Sequence, residues 1–461
     1  MTSTAPLDVD DLRSRMAGAV VLPTDPGYDE ARVMWNGRID HRPGLVARCT
    51  GPADVAAAVG FARSAGLPVA VRGGGHGSWT AALADGFLLV DLSPIRHVDV
   101  DPVARTARCG GGVLLAELDG ATQQHGLAVP AGTVSHTGIG GLTLGGGWGW
   151  LSALHGLTID NLLSAEVVLA DGRVVRASET AHPELFWGLR GGGGNFGVVT
   201  EFEFRLHPVG PIIQLGLVFV EQARVAEAAV VALDLMASWP RGVTGGLGFN
   251  AAPPAPFVPV EHHFAPGMAV MIGGFADPGE HADVVRATVT ALDPLFHVAM
   301  PIPYLALQQM LDEASVPGTR AYTKGLYLPG MTPEIAGILA DRTALRSPMS
   351  QVLAFPLGGA LAAVPDDATA FGGDRSGIAL AIEGTGHDPS LDDAERDWVR
   401  DTWTALRPHA RGAGGYVNLM SEVDDTVVGA TYGPKTARLA QVKAQYDPEN
   451  VFRVNANIAP A

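Results

Sequence analysis

The chain has 461 residues, 47% of them hydrophobic and 17% charged, so it is too long for one ordinary core and too apolar for disorder. A formal net charge of −17 repels phosphate backbones and anionic lipid, which excludes nucleic acid and membrane as partners. The two cysteines, Cys49 and Cys109, make neither a disulfide framework nor a metal-ligand pattern, so no metal site is expected.

The first residues, MTSTAPLDVDDLRSR, lack a basic segment followed by an apolar one, and no stretch is apolar enough to span a bilayer. A cytoplasmic protein is expected. Helix-like sequence at 7–16 leads into the polar WNGRID. Residues 46–49 read as a strand and 55–62 as a helix with apolar positions at helical spacing, capped by Thr50 or Asp54. Residues 67–71 are the next strand, followed by strands at 87–91, 98–100 and 106–109 and an amphipathic helix at 114–124. A long Gly-rich loop is expected from 132 to 149. Strands at 160–169 and 173–177 are joined by Asp171-Gly172, a hairpin signal. A second Gly-rich loop, 188–197, precedes a strand at 197–205. Beyond 208 the character changes. Strands at 212–220, 269–275, 351–355 and 377–383, with helices such as 225–239 and 393–406 between them, predict an antiparallel sheet flanked by helices. The Pro-rich tract 253–259 is a loop or edge segment.

Three glycine clusters carry the chemistry. Residues 71–78 (VRGGGHGS) place three glycines and a histidine after a strand. Such glycines let the backbone turn tightly and turn N–H groups toward an anion. Two readings stand together: an ordinary turn histidine, and a pyrophosphate cradle with an imidazole beside a cofactor ring. Residues 138–149 (GIGGLTLGGGWG) hold more glycine than a turn requires, so either a surface loop or backbone packed against a flat or phosphorylated ligand is implied. Residues 192–197 (GGGNFG) fit G-x-G-x-x-G, but they precede strand-like VVTEFEF rather than a helix. That order excludes a Rossmann nucleotide site.

Taken in order, VRGGGH, GLTLGGGWGWLSALHGLTIDNLLSAEVVLADG, ELFWGLRGGGGNFGVVTEFEFRLHPVG, GGYVN and YDPENVFRVNANI resemble the berberine bridge enzyme-like family of FAD-linked oxidoreductases, with the vanillyl-alcohol oxidase/PCMH-type fold. The resemblance implies an α+β protein: a two-part FAD-binding domain at 1–208 and 416–461, and a substrate domain with an antiparallel sheet at 209–415. It further implies FAD as the cofactor, joined through its 8α-methyl carbon to His76. That bond is chemically sensible, because a neutral imidazole is nucleophilic and the carbon is electrophilic in tautomerised flavin. Arg72, Gly73, Gly74, Gly75, Gly77 and Ser78, with Val134, Ser135, His136, Gly138, Gly141, Gly145, Gly146 and Gly149, would hold the pyrophosphate and ring edge. Val199 would meet the adenine portion, and Tyr416, Asn418, Asn455 and Asn457 would lie against the isoalloxazine. Many relatives carry a second flavin link from a cysteine; the matching position here is Val134, so a single link is expected. His136 is offset from that slot and reads as a polar residue shaping the loop.

The implied reaction is oxidation by hydride transfer to the flavin, with O2 as electron acceptor and the protein supplying orientation and proton removal. Tyr416 is the first candidate for the base, Glu383 the second, and Asn418 accompanies them as a catalytic residue. Tyr322 and Tyr327 could line the pocket or belong to the core, as could Trp239, Phe257, Phe275, Phe355 and Phe371. Three function classes follow. The first is an oxidase of an alcohol, sugar or alkaloid-like amine. The second is an oxygenating flavoenzyme of a natural-product pathway, since VSHTG with mono-histidyl attachment is similar to the enterocin-pathway type of flavin monooxygenase. The third is a redox-inactive binding protein, against which the intact YVN and NAN elements argue. The partners are a small-molecule substrate and O2, and the chain acts as a monomer or homodimer.

Overall fold

The computed structural model describes residues 9–77, 85–412, 414–422 and 424–461. The first half folds around two sheets. In one, Leu45–Arg48, Leu88–Asp91 and Val69–Arg72 run parallel, with Val20–Val21 antiparallel at the edge. The helix Pro52–Ala65 packs its Val55, Ala58, Val59 and Ala62 stripe onto this sheet. Its N-cap is Gly51, not Thr50 or Asp54. Asp54 sits in the first turn, where its carboxylate accepts from Thr50 N at 2.8 Å, Ala17 N at 2.7 Å and Gly18 N at 3.0 Å. It thereby ties the preceding chain to the helix start.

The second sheet is antiparallel, in the order Val98–Asp101, Thr106–Gly110, Val198–Arg205, Leu162–Val168, Val174–Ser178. The last two are joined by the Asp171-Gly172 turn, where Gly172 takes φ +85°. The helices Leu115–Gln123, Pro183–Leu189 and Thr436–Tyr446 bury Leu118, Phe186 and Leu439 against its core. The C-terminal segment thus returns to the first half of the molecule.

Residues 212–386 build a seven-stranded, wholly antiparallel sheet. Its order is Phe296–Pro303, Ile212–Glu221, Pro266–Gly274, Val243–Ala251, Gln351–Leu357, Gly377–Gly386, Arg320–Leu328. Three of these strands have no clear sequence signal. In Val243–Ala251 the glycines at 245, 246 and 248 dilute the β pattern, yet a Cβ at Gly245 would strike the Met271 carbonyl of the neighbouring strand. The helices Val225–Met236, Pro278–Leu292, Pro333–Ala344 and Asp392–Leu406 cover one face. Strand alternation turns Val352, Ala354, Leu380 and Ile382 toward those helices, and Leu353, Phe355, Ala381 and Glu383 toward the first half of the molecule. Among the described residues no helix is long and apolar enough to cross a membrane.

Candidate active site

The strand Val69–Arg72 ends in the glycine turn, and the chain there meets the second glycine cluster backbone to backbone. A Cβ at Gly74 would fall on Gly138 N, and one at Gly138 on Gly74 N, so neither position tolerates a side chain. The expected loop at 132–149 is partly helical: Ile139–Gly145 is an α-helix that buries Ile139 and Thr143. Its glycines let other groups approach closely. A side chain at Gly145 would overlap Asn418, one at Gly149 the Ala131 carbonyl, and one at Gly146, which has φ +133°, the Phe371 ring. At Gly141 nothing lies within 4 Å, because it faces open space.

That space is a cavity of about 360 Å³ between the glycine turns and the free face of the large sheet. Residues Gly73 to Gly77, Val134, Gly138 and Gly141 form its floor, and Tyr416 and Asn418 line it from the C-terminal segment. Gln351, Leu353, Phe355, Ala381 and Glu383 roof it. A second cavity of about 130 Å³ shares Gly73, Gly141 and Asn418 with the first and continues past Gly145 to Val199 and Asn455. Together they make one slot, long and backbone-walled at one end and wider at the other.

His76 lies on the floor of the larger cavity. Its ring stacks on Trp35 at 4.7 Å with 13° between the planes, and its Nε2 is 2.7 Å from His136 Nδ1. Burial, with the neighbouring His136, pushes its pKa down to about 3, so the imidazole is neutral throughout the physiological range. The Tyr416 hydroxyl accepts from Gly147 N at 2.8 Å and from Asn418 Nδ2 at 3.0 Å. Burial still outweighs those donors and pushes the phenol up to about 12. Glu383 accepts from Gln351 Nε2 at 2.8 Å, and burial raises its carboxyl above the usual range despite that bond.

Several candidates have other work. Arg72 faces the cavity, but its guanidinium is held by Asp91 at 2.9 Å and the Val33 carbonyl at 3.0 Å. The Ser135 hydroxyl is bound to Asp312 at 2.6 Å, away from the cavity wall. Tyr322 points to the helix side, against Arg400 at 3.1 Å, whereas Tyr327 lines the cavity. Phe355 and Phe371 also line it; Trp239 and Phe275 pack in the cores, and Phe257 is exposed. Ser78 lies outside the described residues. Trp35, Gln351 and Asp312 carry no chemical motif in the sequence, and only the fold brings them to the site.

The slot suits a flavin dinucleotide. The amide oxygens of Asn455 and Asn457 are buried without a hydrogen-bond partner, and Asn455 opens onto the narrow end. Unspent polar atoms of this kind suit a polar ligand. The glycine backbone of the narrow end leaves room for a chain of phosphates. Neither cysteine can join a ligand here, since Cys49 and Cys109 are fully buried in the sheet cores. Burial raises both thiols and keeps them protonated.

Comparison with known proteins agrees with this geometry. An FAD binding domain model matches residues 43–178, and a "berberine and berberine like" model matches residues 415–459. (R)-6-hydroxynicotine oxidase of Paenarthrobacter nicotinovorans is 31% identical over 464 aligned residues, covering 96% of this chain and 97% of its own. The solved structure of 6-hydroxy-D-nicotine oxidase from Arthrobacter nicotinovorans superposes with a TM-score of 0.84 at 26% identity, covering 97% of this chain and 98% of the other. Glucooligosaccharide oxidase from Acremonium strictum, described as holding 6-S-cysteinyl, 8α-N1-histidyl FAD, shares the fold with a TM-score of 0.83 at 23% identity, covering 98% and 99%. The chain is an FAD-dependent oxidoreductase and belongs to the berberine bridge enzyme-like family, with its PCMH-type fold.

Proposed function

We propose that this protein is an oxidase that carries its FAD on His76 through a single covalent bond and oxidises a small, largely apolar substrate, with O2 as electron acceptor. One observation carries the reading: His76, Tyr416 and Glu383 open onto one cavity, which continues into a backbone-walled slot ending at Val199 and Asn455. A neutral imidazole is the form that can attack carbon. The glucooligosaccharide oxidase has a cysteinyl link as well; here Val134 lines the cavity and both thiols lie elsewhere, which supports one link only.

In this reading the backbone of residues 73–77, the helix 139–145, Asn418 and Asn455 hold the cofactor. Bound FAD supplies two-electron acceptance and reoxidation by O2. The chain's own residues do the rest. Leu353, Phe355, Phe371 and Trp148 present apolar and aromatic surface to the substrate and exclude water. Glu383, raised by burial, takes the substrate proton. Tyr416 comes first from sequence, but at a pKa of about 12 its phenol is a hydrogen-bond donor at neutral pH, so the roles reverse. Its donors at Gly147 and Asn418 fix the oxygen and leave the hydroxyl proton to be directed at the substrate.

The first test is acid precipitation of the purified protein. Flavin should stay in the pellet, and the His76→Ala variant should release it to the supernatant. A colourless wild-type pellet refutes the covalent link. A panel of aromatic amines, alcohols and oligosaccharides, followed by anaerobic flavin bleaching, then identifies the substrate. Bleaching by oligosaccharides alone refutes the apolar assignment.

A further inference from the structure

We infer that Asp160 and Arg375 are positioning residues for Tyr416: their buried ion pair locks the turn that sets the Gly147 N–H on the phenol oxygen. This rests on the reading that Tyr416 acts on the substrate. The pair joins two distant parts of the fold. Asp160 lies in the turn before the strand Leu162–Val168, and Arg375 lies just before the strand Gly377–Gly386 of the large sheet. Their side chains are 7% exposed, and neither lines either cavity described above. The guanidinium meets the carboxylate with both arms of its fork, Nη1 to Oδ2 at 2.8 Å and Nη2 to Oδ1 at 2.9 Å. The same two nitrogens reach the Leu361 carbonyl at 3.4 Å and the Thr369 hydroxyl at 3.2 Å.

A chain of contacts runs from this pair to Tyr416. Asp160 Oδ2 also accepts from Leu157 N at 2.8 Å, which closes the 3-10 turn Thr158–Asn161. Gly156 has φ +83°, and a Cβ there would strike the Asp160 carboxylate, so the turn is built closely round that acid. The turn in its own right grips the second glycine cluster. Thr158 donates to the Gly147 carbonyl from its N at 2.9 Å and from its hydroxyl at 3.1 Å, and Ile159 N donates to the Gly146 carbonyl at 3.1 Å. Gly147 N then donates to the Tyr416 oxygen at 2.8 Å. Burial raises the Tyr416 phenol, and among the groups that pull it back the Gly147 amide comes first. A second contact converges on the same ring: Arg375 lies over Phe371 at 5.3 Å, and Phe371 meets Tyr416 edge-on at 6.0 Å.

Compared with an apolar pair of the same size, a buried ion pair adds little stability, because desolvation of two charges offsets their attraction. What it adds here is geometry. A two-point fork fixes the angle of the carboxylate as well as its distance. The place of the phenol oxygen depends on the peptides of Gly146 and Gly147, and the turn holds both by their carbonyls. Arg375 lies in GGDRSG, a stretch without a motif, 215 residues from Asp160, so only the fold brings the two together.

The test uses the full-length, FAD-loaded protein. Hydrogen exchange without substrate comes first: in Arg375→Met the amides of residues 145–149 should exchange about ten-fold faster, with the helix Thr436–Tyr446 unchanged. Flavin reduction comes second, with whichever aromatic amine, alcohol or oligosaccharide bleaches wild type as the probe. Arg375→Met should lower the limiting rate about ten-fold, leave the apparent affinity for the probe within about two-fold, and slow reduction by less than about two-fold when added to Tyr416→Phe. Arg375→Lys, which keeps the charge without the fork, should fall between wild type and Arg375→Met in both measurements. If Arg375→Met does not fold, Arg375→Lys decides by the same two measurements. Unchanged exchange at 145–149, or losses that multiply with Tyr416→Phe, overturn the inference. A Tyr416→Phe variant that reduces at the wild-type rate refutes the role of Tyr416 itself, a failure that the exchange measurement tells apart from a failure of the ion pair.

Discussion

Glu383 and Gln351 face each other across adjacent strands, and their pairing is what makes an acid tolerable on an otherwise apolar roof. The amide donates to the carboxylate, yet burial wins and the carboxyl is raised. A base with a raised pKa is ionised only above it, so flavin reduction by substrate should rise with pH through a point above the ordinary glutamate range. Glu383→Gln should abolish that limb and slow reduction by about 10²–10⁴-fold, while the oxidised flavin spectrum is kept. Tyr416→Phe should also slow reduction but leave the limb in place, as stopped-flow traces across pH would show. A limb that survives Glu383→Gln moves the base elsewhere.

At the scale of elements, the C-terminal helix Thr436–Tyr446 anchors the narrow end of the slot through one buried cation. Lys443 is fully buried, and its Nζ donates to Asp447 at 2.6 Å and to the carbonyls of Asn195 and Phe452 at 2.7 and 2.9 Å. It therefore pins the third glycine cluster and the segment leading to Asn455 and Asn457 to one helix. Asp447 in turn accepts from the backbone N–H groups of Val451 and Phe452. Removing one member of such a pair strands the other charge in the core. Lys443→Met should cost about 3–5 kcal/mol in urea unfolding and weaken FAD retention in the His76→Ala background. An unchanged unfolding midpoint would show that the core absorbs the stranded carboxylate.

The two halves of the molecule are joined by contacts whose charge state depends on pH. Asp119, on the helix Leu115–Gln123, is 1% exposed and receives Gln308 Nε2 at 2.9 Å from the helix Tyr304–Gln309, while the same amide nitrogen reaches the Gly132 carbonyl at 3.2 Å. Its other oxygen is buried without a partner, and burial raises the carboxyl to about 7 from an ordinary 3.8. The folded protein then holds a proton that the unfolded chain releases. Stability is highest below about pH 4 as far as this group is concerned, falls as pH rises through 7 and is level above it. Asp119→Asn should remove that slope, raising the melting temperature at pH 8 with little change at pH 4. The gain should be on the order of a few kcal/mol at most. No pH-dependent difference between the two proteins would mean that Asp119 stays charged in the fold.

Much of this architecture is legible in the sequence because local chemistry carries it. Glycine density at 73–75, 138–149 and 191–197 marks places where backbone must approach backbone, and the clash of any Cβ at Gly74 with Gly138 is the physical reason. Strand and helix periods around those clusters, and the order of the motifs, determined the α+β class, the family and FAD as cofactor. Valine at 134 and two thiols elsewhere were equally plain in the one-dimensional string. The rest depends on groups far apart in sequence. Strands such as Val243–Ala251 exist only because neighbouring strands supply the hydrogen bonds that their glycine-rich sequence does not advertise. His76 and His136, 60 residues apart, become a pair only when the two glycine clusters pack. Glu383 becomes a cavity acid through strand alternation, and burial raises the Tyr416 phenol to about 12. Residue type and spacing determined which groups are available; only the tertiary structure decided which are dry and which are paired, because desolvation and hydrogen-bond partners are properties of the packed molecule.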